Sequence, residues 1–78
     1  MPDKLRLRNR LSDKIRIVIE PWGREYTMSS GAYIEIVALG NVDQDLIELE
    51  QSDYGIIVHA WSLDISVSFD GETVVLGS

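Results

Sequence analysis

Residues 15–28 read IRIVIEPWGREYTM, and this stretch decides the class of fold. Every second residue from Ile15 to Ile19 is an isoleucine, which is the period of a strand that buries one face. The proline and glycine that flank Trp22 then interrupt the pattern, because proline presets φ for the second position of a type I turn and glycine suits the fourth. Residues 15–20 and 24–28 are therefore predicted to be two strands joined by a turn.

The period of two recurs along the rest of the chain, and no segment of helical length shows the stripe of an amphipathic helix. Asp70-Gly71 is the strongest hairpin signal, because a type I′ turn needs positive φ at both central positions. The pattern predicts a single all-β domain over residues 1–78, an antiparallel β-sandwich of jelly-roll or immunoglobulin type with seven or eight strands. Turns are expected at residues 10–14, 21–23, 29–31, 40–45, 52–55, 62–64 and 70–71.

The composition bears on the stability of the protein and on the cell compartment expected for it. The chain has 78 residues and no cysteine, so no disulfide or thiolate metal site supplements a small core, and self-association is an open expectation. No apolar run approaches the ~18 residues that span a membrane. The N-terminus also lacks the apolar block of a signal peptide, so a cytoplasmic protein without membrane contact is expected.

Charge is divided along the sequence. All seven Lys and Arg residues lie in the first 24 positions, whereas residues 25–78 carry ten acids and no Lys or Arg. Arg6, Arg8 and Arg10 share one face of a predicted strand, a stripe that nucleic acid would favour. The acidic remainder would repel a polyanion, so nucleic acid is not expected. Cross-strand pairing is favoured instead, with docking of a partner protein left open; the acids considered as partners of the stripe are Glu35, Glu48 or Glu50.

The run from Ile56 to Trp61 is apolar on both faces, unlike the other strands. Such a run fits a central strand that is covered on both sides, or one whose outer face meets another chain. Ile57, His59 and Trp61 alternate on one face and are the interface residues that this pattern predicts. The expected partner is a second copy or another protein.

Residue types exclude most catalytic chemistry. His59 is the only histidine and no serine has a nucleophile-elbow sequence, so neither a serine triad nor a cysteine nucleophile can form. One histidine without cysteine also fails the usual copper and zinc ligand sets. We therefore predict a protein that is not an enzyme and needs no cofactor, with His59 a half-buried or edge imidazole.

One acidic stretch has the spacing of a calcium loop. Asn41, Asp43 and Asp45 place oxygen side chains at alternate positions. The comparison weakens further on, because Leu46 stands where such a loop needs glycine and Ser52 stands where it needs glutamate. A solvated acidic turn is favoured, and these residues are only a weak candidate for a cation site.

Trp22 at the turn has three interpretations: a lid over one end of a small core, an interface residue or a ligand residue. A folded-back indole buries ~150–250 Å², so the lid is favoured. The ligand interpretation joins Trp22 with Tyr26 in a small-molecule or carbohydrate site. It is the alternative to the preferred prediction, a non-enzymatic interaction or structural module that associates with itself or another protein.

The motif Glu20-Pro21-Trp22-Gly23 followed by Tyr26, with a Ser30-Gly31 turn and an Asp70-Gly71 hairpin, resembles a group of short bacterial proteins. These share an E-P-W-G-x-x-Y core, and the resemblance runs from about Leu5 to Glu72. It implies a single all-β domain and a bacterial origin, and it implies no activity. The histidine cluster of metal-binding cupins is lacking here, so their chemistry is not expected.

Overall fold

The computed structural model describes residues 3–42 and 46–77. Within these ranges it contains eight strands and no helix, which confirms the predicted all-β class. The strands are β1 (Lys4–Arg8), β2 (Ile15–Glu20), β3 (Arg24–Met28), β4 (Tyr33–Val42), β5 (Glu48–Ser52), β6 (Gly55–His59), β7 (Ser62–Phe69) and β8 (Glu72–Leu76).

The strands form two four-stranded sheets, with the orders β1-β4-β7-β8 and β3-β2-β6-β5. The first sheet is antiparallel throughout. In the second, β2 and β6 run parallel, with Ile17 opposite Ile56. The prediction of a purely antiparallel architecture is therefore wrong at this pair. Parallel neighbours need a long connection, and here the chain passes through β3, β4 and β5 before it returns beside β2.

A single cluster of fully buried side chains draws on both sheets. Isoleucines at alternate positions of β2 and β4 supply much of it, as the period of two predicts. Trp61, which follows β6, is completely buried among them. The members are Ile17, Ile19, Met28, Ile34, Ile36, Val58, Trp61, Ile65 and Val67.

Turns account for the main differences from the predicted boundaries. Asp70 and Gly71 have φ values of 53° and 81° between paired Phe69 and Glu72, which confirms the type I′ hairpin. The Glu20–Pro21 peptide bond is cis, and residues 21–23 form the turn between β2 and β3 that the sequence predicts. The expected turn at residues 62–64 is instead the start of β7, and β4 extends through Gly40 with a register shift after Leu39.

Candidate interaction site at the β1 and β5 edges

Two edge strands of this fold carry opposite charge. In the strand orders, β1 ends one sheet and β5 ends the other, and no described strand pairs with their outer sides. The sequence of β1 is KLRLR, with its basic side chains exposed. The sequence of β5 is ELEQS, and Glu48 and Glu50 are likewise exposed. One free edge is therefore basic and the other is acidic.

Hydrogen bonds at both ends of β1 show which backbone groups remain free. Asn9 N–H donates to the Ala32 carbonyl at 2.9 Å, and Ala38 N–H donates to the Asp3 carbonyl at 2.7 Å. In an antiparallel ladder, alternate residues bond the partner strand. The residues of β1 that bond β4 are therefore the odd-numbered ones. The N–H and C=O groups of the three basic residues point away from the sheet: Lys4, Arg6 and Arg8.

The same reasoning applies to β5 through its neighbour β6. Arg16 N–H donates to the Tyr54 carbonyl and Ala60 N–H donates to the Glu20 carbonyl, both at 3.0 Å. In this parallel ladder, alternate residues of β6 bond β2. The β6 residues between them direct their own N–H and C=O groups to β5 instead. The β5 residues opposite them are bonded, namely Glu48, Glu50 and Ser52. Leu49 and Gln51 are thus left with free backbone groups.

Edge strand β3 contacts the other sheet near both ends of its strand order. Tyr26 of β3 packs edge-to-face on Phe69 of β7, with ring centroids 5.4 Å apart, and a cleft is lined by Tyr26 and by Val74 of β8. Asn9, immediately after β1, donates from its side-chain amide to the carbonyl of Met28 at the end of β3. A groove of about 570 Å³ opens between the β1–β2 loop and the β5–β6 hairpin.

This groove contains three exposed apolar side chains. Leu11 is 61% exposed, Leu49 is 44% exposed and Tyr54 is 73% exposed. Large apolar groups that share one groove are more informative than single exposed leucines, because contiguous apolar surface marks contact sites. We call Leu11, Leu49 and Tyr54 the edge groove.

One arginine of the predicted stripe forms an ion pair with an acidic residue. Arg6 Nη2 lies 2.8 Å from Glu35 Oε2 on β4, directly opposite it in the ladder, and this hydrogen bond raises the pKa of the guanidinium. Arg8 lies over the ring of Tyr33 at 5.2 Å. The expected cross-strand pairing is therefore present with Glu35, whereas the alternatives Glu48 and Glu50 belong to the other sheet. Arg10 is exposed beyond the end of β1.

Comparison with known proteins finds no matching family model, curated protein or solved structure. The resemblance to the E-P-W-G-x-x-Y group thus stays a prediction. Within the described ranges, no helix has the length and apolar character required to traverse a membrane.

His59 is the centre of a carboxylate cluster on the outer face beside β5. Its Nε2 lies 2.9 Å from Glu50 Oε1, and Glu48 and Glu20 are its ladder neighbours on either side. The hydrogen bond to Glu50 raises the pKa of His59, and the charges of the three glutamates add to the effect. Ligand atoms of Glu48, Glu50 and His59 lie within 4.8 Å of one another. Sequence reasoning missed the cluster because it depends on the registers of β2 and β5 against β6.

The predicted interface residues separate in the structure. Ile57 and His59 lie half-buried on the outer face of β6. Trp61 does not share that face: it lies beyond the end of β6 and is completely buried in the core. Its assignment as an interface contact is therefore corrected, because the apolar alternation does not continue past the end of the strand.

The predicted ligand residues do not form a common site. Trp22 is half-buried against the core cluster, in agreement with a lid. Tyr26 is also half-buried, its hydroxyl is enclosed, and Arg24 lies over its ring at 5.5 Å. The cleft that Tyr26 lines does not include Trp22. Of the weak cation candidates, Asp43 and Asp45 lie outside the described residues, and so does the side chain of Asn41.

Proposed function

We propose that this protein is a small non-enzymatic interaction module that binds an extended segment of protein at its free sheet edges. The observation that carries the proposal is the pair of oppositely charged edges, β1 and β5, each with free backbone groups. An edge strand binds by adding a further strand, whose main-chain hydrogen bonds supply affinity and whose side chains supply selectivity. In this proposal the two sheets are halves of one sandwich, a view supported by their shared core.

The edge groove supports this function with apolar contact. Leu49 belongs to β5 itself, and Leu11 and Tyr54 flank its end. A strand added to β5 places every second side chain on the core-facing side, toward Leu49, and the intervening side chains beside Glu48 and Glu50. The segment that fits is therefore extended and alternates apolar with basic residues.

The chemistry of the remaining residues favours binding over catalysis. The only histidine is tied to Glu50 on an exposed sheet face, and the chain contains no cysteine. General base catalysis needs a base within reach of the proton that it abstracts in a substrate pose. We place this module in the cytoplasm, as its charged and cysteine-free composition favours.

Two short fluorescent peptides test the function directly. One alternates lysine with valine and the other alternates glutamate with valine, and anisotropy is measured against dilute protein. The basic peptide should bind at β5, and the Glu48→Lys/Glu50→Lys variant should lose it because both charge contacts become repulsive. The acidic peptide should prefer β1 and should lose its affinity when Lys4 and Arg6 are replaced by glutamate.

A matched control uses acids on the other two edge strands. Glu25 and Glu72 are also exposed, on edge β3 and at the start of edge β8. The Glu25→Lys/Glu72→Lys variant should bind the basic peptide as the wild type does. If neither peptide binds the wild type, or if the control variant loses binding equally, the edges are not the contact surface.

A further inference from the structure

We infer that His59, Glu50 and Glu48 form a binding site for a divalent transition-metal ion of the zinc type, on the outer face of β5 and β6. This site is additional to the proposed function, because it uses side chains of the sheet face and no free backbone group. The three side chains already meet, since their ligand atoms lie within 4.8 Å of one another. One imidazole nitrogen and two carboxylates are thus available to a single ion.

The register of β5 against β6 brings the three ligands together. Glu48 lies directly opposite His59, and Glu50 lies opposite Ile57, two residues away along β6. Side chains directly opposite in an antiparallel pair share a face, and diagonal neighbours about 7–8 Å apart stay within reach of long side chains. One glutamate therefore approaches the imidazole from straight across the ladder, and the other approaches it diagonally.

The distances between the ligand atoms suit coordination. Zinc binds histidine nitrogen and carboxylate oxygen at about 2.0–2.2 Å with tetrahedral angles, so two of its ligand atoms lie about 3.3–3.5 Å apart. His59 Nε2 and Glu50 Oε1 are 2.9 Å apart, and a slight opening of this contact would admit the ion. The Glu48 carboxylate starts no more than 4.8 Å away. Rotation of this exposed side chain closes the gap.

The types of ligand select a transition metal over calcium or magnesium. Imidazole suits zinc, copper, iron and nickel, whereas calcium and magnesium take oxygen ligands in larger number. The count of one histidine and no cysteine argued against zinc, but the fold adds two carboxylates that this count does not include. Three protein ligands leave one tetrahedral position, which water takes in open zinc sites.

The charge around His59 favours a bound cation. Glu48 and Glu20 lie opposite it on the two neighbouring strands, and Glu50 is hydrogen-bonded to it. Within residues 3–42 and 46–77, no Lys or Arg forms an ion pair with any of these glutamates. Arg16, on the same outer face, lies near the other end of β2 and has a different acidic partner. The carboxylates therefore leave an excess of negative charge, which attracts a divalent ion.

The strands hold the imidazole in place. β6 is paired on both sides, with β2 and with β5, and the side chain of His59 is only 34% exposed. Immediately after it, Ala60 N–H donates to the Glu20 carbonyl at 3.0 Å. Ligands on strands are placed more precisely than ligands on loops. The nitrogen ligand is therefore the fixed part of the site, and the two exposed glutamates of β5 adjust to the ion.

Calorimetric titration with zinc chloride tests the site, on a chain without a histidine tag. The wild type should bind one zinc ion per chain. His59→Gln, Glu50→Gln and Glu48→Gln should each weaken the binding by about tenfold or more, because loss of even a supporting partner of a metal ligand costs about 10–100-fold. The matched control is Glu25→Gln/Glu72→Gln, which removes two exposed acids elsewhere. This variant should bind zinc as the wild type does, although it loses more negative charge.

The single histidine gives a second readout that a general attraction of cations would not produce. Proton NMR should show the imidazole signals of His59 shifting as zinc is added, and paramagnetic cobalt(II) should shift or broaden them at substoichiometric amounts. Calcium chloride at the same concentration should leave them in place, because calcium takes oxygen ligands. Asp43→Asn/Asp45→Asn, which removes the acids of the calcium-like stretch, should keep the response to zinc.

Zinc and a basic strand would use the same two carboxylates. Excess zinc should therefore weaken the binding of the lysine–valine peptide to the wild type, and His59→Gln should remove this effect. Zinc titration without peptide and peptide titration without metal keep the two proposals separate. Failure of one leaves the other standing.

Three results would overturn the inference. They are a wild type that binds no zinc, a folded His59→Gln or Glu50→Gln variant that binds zinc as tightly as the wild type, and imidazole signals that respond to calcium as they do to zinc. The last result would reduce the cluster to an acidic surface without preference. Circular dichroism confirms folding, and the exposed position of Glu50 keeps the test decisive if His59→Gln does not fold.

Discussion

The side-chain amide of Asn9 donates to the carbonyl of Met28 across 3.0 Å, and so joins the end of β1 in one sheet to the end of β3 in the other. The same amide donates to the Asp13 carbonyl at 2.9 Å, and its oxygen accepts from Leu11 N–H. Asn9 is 1% exposed. Asn9 continues the alternation of the β1 leucines, so its side chain points inward. There it bonds backbone groups instead of adding apolar surface.

Replacement of Asn9 by alanine should strongly destabilise the fold. The three hydrogen bonds of the Asn9 side chain would be lost, and each such bond contributes about 0.5–1.5 kcal/mol net to stability. We expect a loss of about 2–3 kcal/mol in the free energy of unfolding, measured by urea titration. Ser30→Ala in the exposed β3–β4 turn is the control and should change little. Equal stability of the two variants would show that the amide does not hold the sheets together.

The two tryptophans should differ in their effect on stability. Trp61 is fully buried, and its replacement by alanine should cost about 3–5 kcal/mol and leave little folded protein. Trp22 is half-buried at the end of the core, so Trp22→Ala should cost about 1–3 kcal/mol and lower the melting temperature by about 5–20 °C. Thermal melting followed by far-ultraviolet circular dichroism measures both. An unchanged melting temperature for Trp22→Ala would rule out the lid.

The single histidine should titrate above its ordinary value of 6.5. Its pKa is raised because the hydrogen bond to Glu50, and then the charges of Glu48, Glu50 and Glu20, favour the imidazolium. The raised value means that this stabilisation is complete below pH 6.5, the unfolded pKa, and is lost as pH rises through the folded pKa. Proton NMR follows one imidazole signal, and Glu50→Gln should lower its midpoint. A midpoint that Glu50→Gln leaves unchanged would contradict the assigned cause.

Two glycines with positive φ should respond differently to alanine. Gly55 has φ of 152°, and a Cβ there would collide with the carbonyl of Arg16 on the adjacent parallel strand. Gly31 has φ of 84° with nothing near its Cβ position. Gly31→Ala should therefore cost only about 1–2 kcal/mol of backbone strain. Gly55→Ala should cost clearly more in the same urea titration, and similar losses would argue against close approach of β6 to β2.

Local patterns predicted the strands, the Asp70-Gly71 hairpin and much of the core. A period of two fixes which side chains share a face, so the isoleucines of β2 and β4 could be placed inside without knowledge of the partners. Glu35, the partner of Arg6, was one of three acids considered opposite the arginine stripe. Sequence alone does not rank such acids. The end of β6 was predicted wrongly. Trp61 continues the apolar alternation of this strand in the sequence, but it lies beyond the end of the strand, where the chain turns into the core.

The sequence by itself determined that the chain is all-β and that every Lys and Arg lies within the first 24 residues, since both can be read from the order of residues along the chain. Only the tertiary structure decided that β2 and β6 run parallel, that β1 and β5 are free edges, and that His59 lies among Glu20, Glu48 and Glu50. These features arise from pairing between strands far apart in the chain. The energy of such pairing depends on the packing of both sheets, which no local pattern encodes.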